Sequence, residues 1–276
     1  MPQKQKKPKL GQNFLVNFQA CAAIADALGD LSQRTVVEIG PGRGAITEML
    51  AARARRLIAI ELDRELAPLL RERFADRQQV SILETDVLDV DFNALREGDE
   101  KLAVVGNLPY YITSGILLRL FHFNGFIASA VIMMQREVAD RVAAPPGSRD
   151  YGLLSATTQL YAKVERILTL PPSAFMPPPD VHSTVFRWRL APRFAELGVE
   201  EDSFLRFVRQ AFAQKRKTLA NNLRAAGVAH ETASAAMADA GIDAMARTEA
   251  LPVESLAALW LGLQATQNRS GSEPDP

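Results

Sequence analysis

The 276-residue chain has a single cysteine, Cys21, so neither a disulfide framework nor a cysteine-built zinc site is open to it. Its three histidines, His122, His182 and His230, stand apart without metal-ligand spacing, and no metal is expected. Apolar runs such as Ala128–Met134 fall far short of the ~20 residues a membrane span requires. The Lys-rich N-terminus is not followed by the apolar stretch of a secretory leader. Neither charge is in excess, with 32 Lys+Arg against 32 Asp+Glu, so no global basic field advertises nucleic acid. Internal repeats and low-complexity tracts are missing too. What remains, at 47% hydrophobic and 23% charged residues, is a globular chain long enough for one large domain and a smaller one. The expectation is a cytoplasmic monomer with no membrane partner.

The neutral total hides local excesses. Lys4, Lys6, Lys7 and Lys9 crowd the first ten residues, and Arg206, Arg209, Lys215, Arg216, Lys217 and Arg224 lie between Ser203 and His230 without one acid. Either cluster can be a solvated face or a basic patch.

From Thr35 onward, short apolar runs alternate with amphipathic stretches. Strands are predicted at Thr35–Ile39, Leu57–Ile60, Val80–Leu83, Lys101–Val105 and Ala128–Met134. Helices are predicted at Gly44–Ala52, Asp63–Phe74 (capped by Asp63), Thr113–Phe121 and Gln135–Val142. Strands separated by helices imply βαβ units and a parallel sheet covered on both faces. Val181–Leu190 alternates, so an antiparallel pair is expected near the sheet edge. Beyond Ala191–Pro192 the pattern turns helical, at Ser203–Phe212, Lys217–Ala226, Glu231–Ala240 and Val253–Gln264. This gives an α/β domain over 1–190 and a helical domain over 191–276, with a mobile loop at Ala144–Asp150 and a disordered polar tail from about residue 268.

Three successive strand ends carry residues suited to a nucleoside. The first runs Glu38-Ile39-Gly40-Pro41-Gly42-Arg43-Gly44, an E-x-G-x-G-x-G turn whose glycines let the backbone approach a ligand closely. The second ends at Glu61, roughly twenty residues after Gly40, where a carboxylate can accept from two vicinal ribose hydroxyls, in NAD or S-adenosylmethionine alike. After the third comes Asp86, able to accept from an adenine amino group. Glycine-rich turns often serve only to turn, and Glu61 alone could be a helix cap; the three together make a nucleoside pocket the better reading.

The fourth strand ends in Asn107-Leu108-Pro109-Tyr110. Two acceptors aimed at the N–H bonds of an exocyclic adenine amine localise the nitrogen lone pair and orient it for attack. The Asn107 side chain and a backbone carbonyl of Leu108 or Pro109 fit that task, Pro109 restricting Leu108 to extended conformations. Tyr110 offers a face on which an extruded base can stack.

N-L-P-Y after E-x-G-x-G-x-G resembles the rRNA adenine N6-methyltransferases. With Gly11-Gln12-Asn13-Phe14-Leu15, Phe175-Met176-Pro177-Pro178-Pro179-Asp180-Val181 and Gln214-Lys215-Arg216-Lys217-Thr218-Leu219, the whole chain is similar to the ribosomal RNA small subunit adenine dimethyltransferase A family. The resemblance implies a Rossmann-like S-adenosylmethionine-dependent methyltransferase sheet plus a small helical RNA-binding domain. It implies dimethylation of two adjacent adenosines in the 3′-terminal hairpin loop of small-subunit rRNA within a pre-ribosomal particle, and a role as an assembly checkpoint. It also makes Asn13 and Leu15 a cofactor lid, Gly40, Glu61 and Asp86 cofactor ligands, Asn107 the meeting point of cofactor and amine, and Phe175 a second aromatic opposite Tyr110. On the residues alone, Phe175 reads equally well as a core phenylalanine before a proline-rich turn. No general base is expected. Alternatives stay open: a large-subunit dimethyltransferase of the antibiotic-resistance type, a non-catalytic RNA-binding assembly factor, or a dinucleotide oxidoreductase.

Overall fold

The computed structural model describes residues 13–109 and 112–270. In chain order the elements are β1 (Phe14–Leu15), α1 (Phe18–Ala27), β2 (Thr35–Ile39), α2 (Ala45–Ala51), β3 (Arg56–Glu61), α3 (Leu66–Arg73), β4 (Val80–Glu84), β5 (Leu102–Asn107), α4 (Thr113–His122), β6 (Ile127–Gln135), α5 (Arg136–Val142), α6 (Leu153–Tyr161), β7 (Ala162–Leu170), β8 (Phe175–Met176), β9 (Ser183–Leu190), α7 (Phe194–Leu197), α8 (Glu201–Ala211), α9 (Leu219–Ala225), α10 (His230–Asp239) and α11 (Val253–Ser270). The chain divides into two compact units. One runs to Ala139 and resumes over Lys163–Leu190; the other takes Asp140–Ala162 and everything from Ala191.

In the first unit, seven strands among the described residues form one sheet in the order β4-β3-β2-β5-β6-β9-β7. The strands β4, β3, β2, β5 and β6 run parallel, and β9 pairs antiparallel with β6. The central strand β2 is buried along its whole length, as a parallel strand covered on both faces must be. Side chains alternate between the two faces. Val36 of β2, Leu57 of β3, Ala103 and Val105 of β5, and Val131 and Met133 of β6 share one face, where they pack with Ala20, Cys21 and Ile24 of α1 and Leu50 of α2. Asn17 starts α1 by accepting the Ala20 N–H at 2.9 Å. The two-residue strands β1 and β8 pair with each other, Phe14 opposite Met176 and Leu15 opposite Phe175.

The second unit is helical; it resumes at Ala191, next to the expected boundary, and also takes in residues 140–162. The sequence pattern groups residues 140–162 with the sheet, but α6 buries Ala156, Leu160 and Tyr161 among the later helices. The Tyr161 hydroxyl donates to Glu201 at 2.6 Å, and the Leu160 and Tyr161 carbonyls accept from the Arg193 and Ala191 N–H groups. The 144–150 loop belongs to this unit and is tied down: Gly147 N–H donates to the Glu249 carbonyl at 2.7 Å. The helix α11 runs through Ser270, past the start of the tail expected from about residue 268. The first helix breaker after Gln264 is Gly271, and 271–276 lie outside the described residues. No helix among the described residues is long and apolar enough to cross a membrane.

Candidate active site

The C-terminal ends of the parallel strands assemble the site. By the two-residue alternation, Glu38 shares a sheet face with Val36, Glu61 with Leu57, and Asn107 with Val105. The register Val36↔Leu57 and Glu38↔Val105 sets these strands side by side, so the three polar ends converge. One cavity is lined by Asn13 and Leu15, which the family resemblance singles out, and by Gly40, Glu61, Asp86, Asn107, Leu108 and Pro109, which the sequence pattern singles out.

The turn after β2 passes under this cavity. Gly42 has φ +59°, and a Cβ there would meet the Phe14 ring at 2.9 Å, so only glycine is tolerated. Gly40 has φ +67° and faces the Asn107 carbonyl, the nearest atom at 3.7 Å from where a Cβ would sit. The Gly42 N–H donates to Glu61 Oε2 at 3.0 Å, and the Asp63 N–H donates to Oε1 at 2.9 Å. Each carboxylate oxygen is therefore fixed by one backbone donor and keeps lone-pair capacity for another. Burial raises the Glu61 carboxyl above its ordinary range, and the two N–H groups oppose that shift. Asp63, expected to cap the following helix, accepts the Glu65 N–H at 2.8 Å, while the helix proper starts at Leu66. Asp86 Oδ1 accepts the Leu88 N–H at 2.9 Å, which holds its carboxylate at the end of β4.

At the end of β5, Asn107 Nδ2 donates to the Asn13 carbonyl at 3.2 Å. The Pro109 carbonyl accepts from Thr113 Oγ1 at 3.0 Å and from the Ile112 N–H at 3.3 Å. Tyr110 lies outside the described residues.

Phe175 does not join the cavity. It is 2% exposed and packs in the apolar cluster with Leu15, Ala174 and Val185, so its ring presents no free face. Of the two readings the sequence leaves open for Phe175, its place in this structure is that of a core phenylalanine: alternation along β8 turns Phe175 inward and leaves Met176 half exposed.

Among the other cavity residues, Phe14 and Glu38 stand out. Phe14 lies over Gly42, with the Arg43 guanidinium 4.7 Å from its ring centroid. Glu38 is 1% exposed, and its Oε2 has no hydrogen-bond partner among the described residues. Burial pushes its carboxyl up to about 7, against the Thr47 hydroxyl and with added repulsion from Glu61. The signal was present: an acid inside the apolar run Val36-Val37-Glu38-Ile39 is costly to bury without a task.

The sequence model of the family described as ribosomal RNA adenine dimethylase matches residues 3–264. The chain belongs to that family. It is 64% identical over 258 residues to the ribosomal RNA small subunit methyltransferase A of Acidobacterium capsulatum, covering 94% of this chain and 91% of that one. It is 53% identical over 269 residues to the protein of the same name from Koribacter versatilis, covering 92% and 93%. Among solved structures, a dimethyladenosine transferase from Plasmodium falciparum superposes with a TM-score of 0.74 at 22% identity, over 94% of this chain and 98% of that one. The 23S rRNA methyltransferase ErmE superposes with a TM-score of 0.69 at 26% identity, over 91% and 100%. The chain thus has the Rossmann-like sheet of the S-adenosylmethionine-dependent methyltransferases together with a helical unit.

Proposed function

We propose that the protein transfers methyl groups from S-adenosylmethionine to N6 of two adjacent adenosines in the 3′-terminal hairpin loop of small-subunit rRNA, giving N6,N6-dimethyladenosine. The observation that carries the reading is the convergence of Glu61, Asp86 and Asn107 on one cavity at three strand ends. The small-subunit choice is supported by the names of the relatives that are 64% and 53% identical.

The donor set suits this cofactor. Glu61 keeps outward lone pairs for a ribose diol, Asp86 offers an acceptor for an adenine amine, and Asn13 and Leu15 close the methionine end. Glu38 adds a buried acceptor without a partner among the described residues. A cavity with two buried acids favours a cationic ligand and repels a pyrophosphate, which argues against the dinucleotide alternative. When bound, S-adenosylmethionine supplies a methyl group on a positively charged sulfur.

The chain's own residues position the acceptor. Asn107 Oδ1 accepts one amine N–H of the target adenine. The Pro109 carbonyl is already engaged by Thr113 and Ile112, so the Leu108 carbonyl takes the second. Pro109 fixes that carbonyl's direction by restricting Leu108. Tyr110 stacks on the extruded base. The protonated methylated amine is strongly acidic and loses its proton to solvent, so catalysis rests on positioning and dipoles. The helical unit holds the pre-ribosomal particle, and that hold makes the enzyme an assembly checkpoint.

The test is transfer of labelled methyl groups to small subunits lacking the modification, with naked rRNA and large subunits alongside. Label in two adjacent adenosines near the 3′ end is expected. Label confined to large subunits, or none anywhere, overturns the proposal.

A further inference from the structure

The carboxamide of Asn107 has two chemically different ends, and only its oxygen can accept from an amine. One end is settled by a distant part of the chain, through the bond from Nδ2 to the Asn13 carbonyl at 3.2 Å. A carbonyl oxygen can only accept, so the reversed amide would set two oxygens against each other. The contact therefore fixes the rotamer and turns Oδ1 away from Asn13.

Asn13 owes its place to a clasp. It precedes β1, whose two residues pair with β8, and the Val16 N–H donates to the Ala174 carbonyl at 2.9 Å. Two residues of pairing cannot hold a strand by backbone bonds alone. The apolar anchors are Leu15 and Phe175, directly opposite each other, 6% and 2% exposed, and sunk together in the cluster under the sheet. Phe14, on the other face of β1, lies over Gly42.

We infer that the β1–β8 clasp is the positioning device for Asn107: Phe175 is a positioning residue that anchors β1 and thereby sets the Asn13 carbonyl, which orients the Asn107 amide. The inference rests on the proposed methylation of an amine, because it names the groups that aim the acceptor. It gives Phe175 a role in turnover without contact with the target base, and it makes closure of β1 a condition for chemistry as well as for cofactor binding.

The experiment reads turnover on small subunits and backbone hydrogen exchange at Val16 in the free protein. Phe175→Leu keeps an apolar anchor, so kcat and KM for the particle should stay within about twofold of wild type. Phe175→Ala should lower kcat at least tenfold with KM for the particle unchanged, and should speed exchange at Val16 at least tenfold. Asn107→Asp keeps two acceptor oxygens but sets a carboxylate against the Asn13 carbonyl, so it should also lower kcat at least tenfold and speed exchange at Val16. This last arm needs no change in the core and stands even where Phe175→Ala fails to fold. If Phe175→Leu raises KM for the particle as Phe175→Ala does, Phe175 contacts the RNA and the inference falls. It falls equally if Asn107→Asp leaves exchange at Val16 as in wild type. A wild-type protein that methylates no RNA overturns the proposed function instead, while the exchange measurements still decide whether the clasp and Asn107 are coupled.

Discussion

Glu38 and Glu61 point from neighbouring parallel strands into the same cavity, 1% and 4% exposed, with unlike surroundings. Glu61 is held by two backbone N–H groups, whereas Glu38 Oε2 has no partner among the described residues. A lone buried carboxylate is costly, and Glu38 responds by holding its proton up to about pH 7, against an ordinary value of 4.5. Well below pH 4.5, folded and unfolded chains both carry that proton, and Glu38 makes no difference. Between 4.5 and about 7 the folded chain binds more protons than the unfolded one, so each step up in pH favours unfolding. Above that range both are ionised and the penalty is constant, at about 3 kcal/mol. Urea denaturation of wild type and Glu38→Gln at pH 5 and pH 8 checks this. The substitution should stabilise at pH 8 relative to pH 5, and an equal difference at both would place the ionised carboxylate in a solvated setting.

The same group links cofactor binding to protons. A cation placed beside Glu38 favours its ionised form, so binding near pH 7 should release a fraction of a proton. Calorimetry of S-adenosylmethionine binding in buffers of different ionisation enthalpy measures the number. Release should vanish by pH 9, where Glu38 is already ionised, and in Glu38→Gln at any pH. Release that persists in Glu38→Gln points to another group.

Glu61→Ala removes a carboxylate that the Gly42 and Asp63 N–H groups hold in place. Loss of two charge-assisted hydrogen bonds to a ribose diol should weaken S-adenosylmethionine binding by roughly 2–4 kcal/mol. Unchanged affinity by calorimetry would take Glu61 out of the pocket.

Much of this site could be read from the chain because it sits where strands end. Gly40, Glu61 and Asn107 each close an apolar run, and Asp86 follows the third such strand by two residues; strand runs of this kind are a strong periodic signal in a sequence. The clasp was illegible for the opposite reason: β1 and β8 have two residues each, too few for any period. Their pairing joins Leu15 to Phe175, a relation of sequence-distant residues that no local pattern encodes. The same non-locality hid the affiliation of α6, whose apolar face matches helices some forty residues onward. Glu38 stands out in the sequence as an acid inside an apolar run, but the run does not say what it does. Its chemistry comes from what surrounds it in three dimensions. The pattern predicts a helix opening at Lys217, but Thr218 is the capping residue, and its hydroxyl accepts the Asn221 N–H at 3.4 Å.

Asn107→Ala should leave the fold and most cofactor affinity intact while lowering single-turnover methyl transfer by ~100-fold or more, the scale on which a positioned transition-state partner acts. Rapid-quench measurement at saturating cofactor isolates that step. Transfer at the wild-type rate would remove the amine acceptor from the mechanism.

The basic residues of the second unit lie where a chain can present them together. Lys215, Arg216 and Lys217 are all exposed in the turn between α8 and α9, so the helical geometry that would scatter three consecutive side chains does not apply. The turn is built from below. Asn222 Nδ2 donates to the Ala211 carbonyl at 2.7 Å and the Gln214 carbonyl at 3.3 Å, and Thr248 Oγ1 donates to the Ala211 carbonyl at 2.6 Å. The Lys215 ammonium donates to the Arg149 carbonyl at 3.0 Å, a bond that leaves its positive charge uncompensated. If the turn meets rRNA phosphates, each cation that neutralises a phosphate displaces condensed counterions on binding, and removing that cation removes their release. Replacing all three residues by Gln should weaken binding to small subunits and make the plot of log affinity against log salt shallower, by ~0.7–0.9 for each phosphate no longer neutralised. Filter binding between 50 and 200 mM salt, roughly the range over which such slopes are resolved, reads both quantities. Affinity for S-adenosylmethionine should not move, since the cavity is lined by residues of the first unit. Unchanged binding at every salt concentration would shift the RNA footprint to another basic segment, with Lys4–Lys9 first in line. Loss of cofactor affinity in the same variant would show instead that the three residues support the fold.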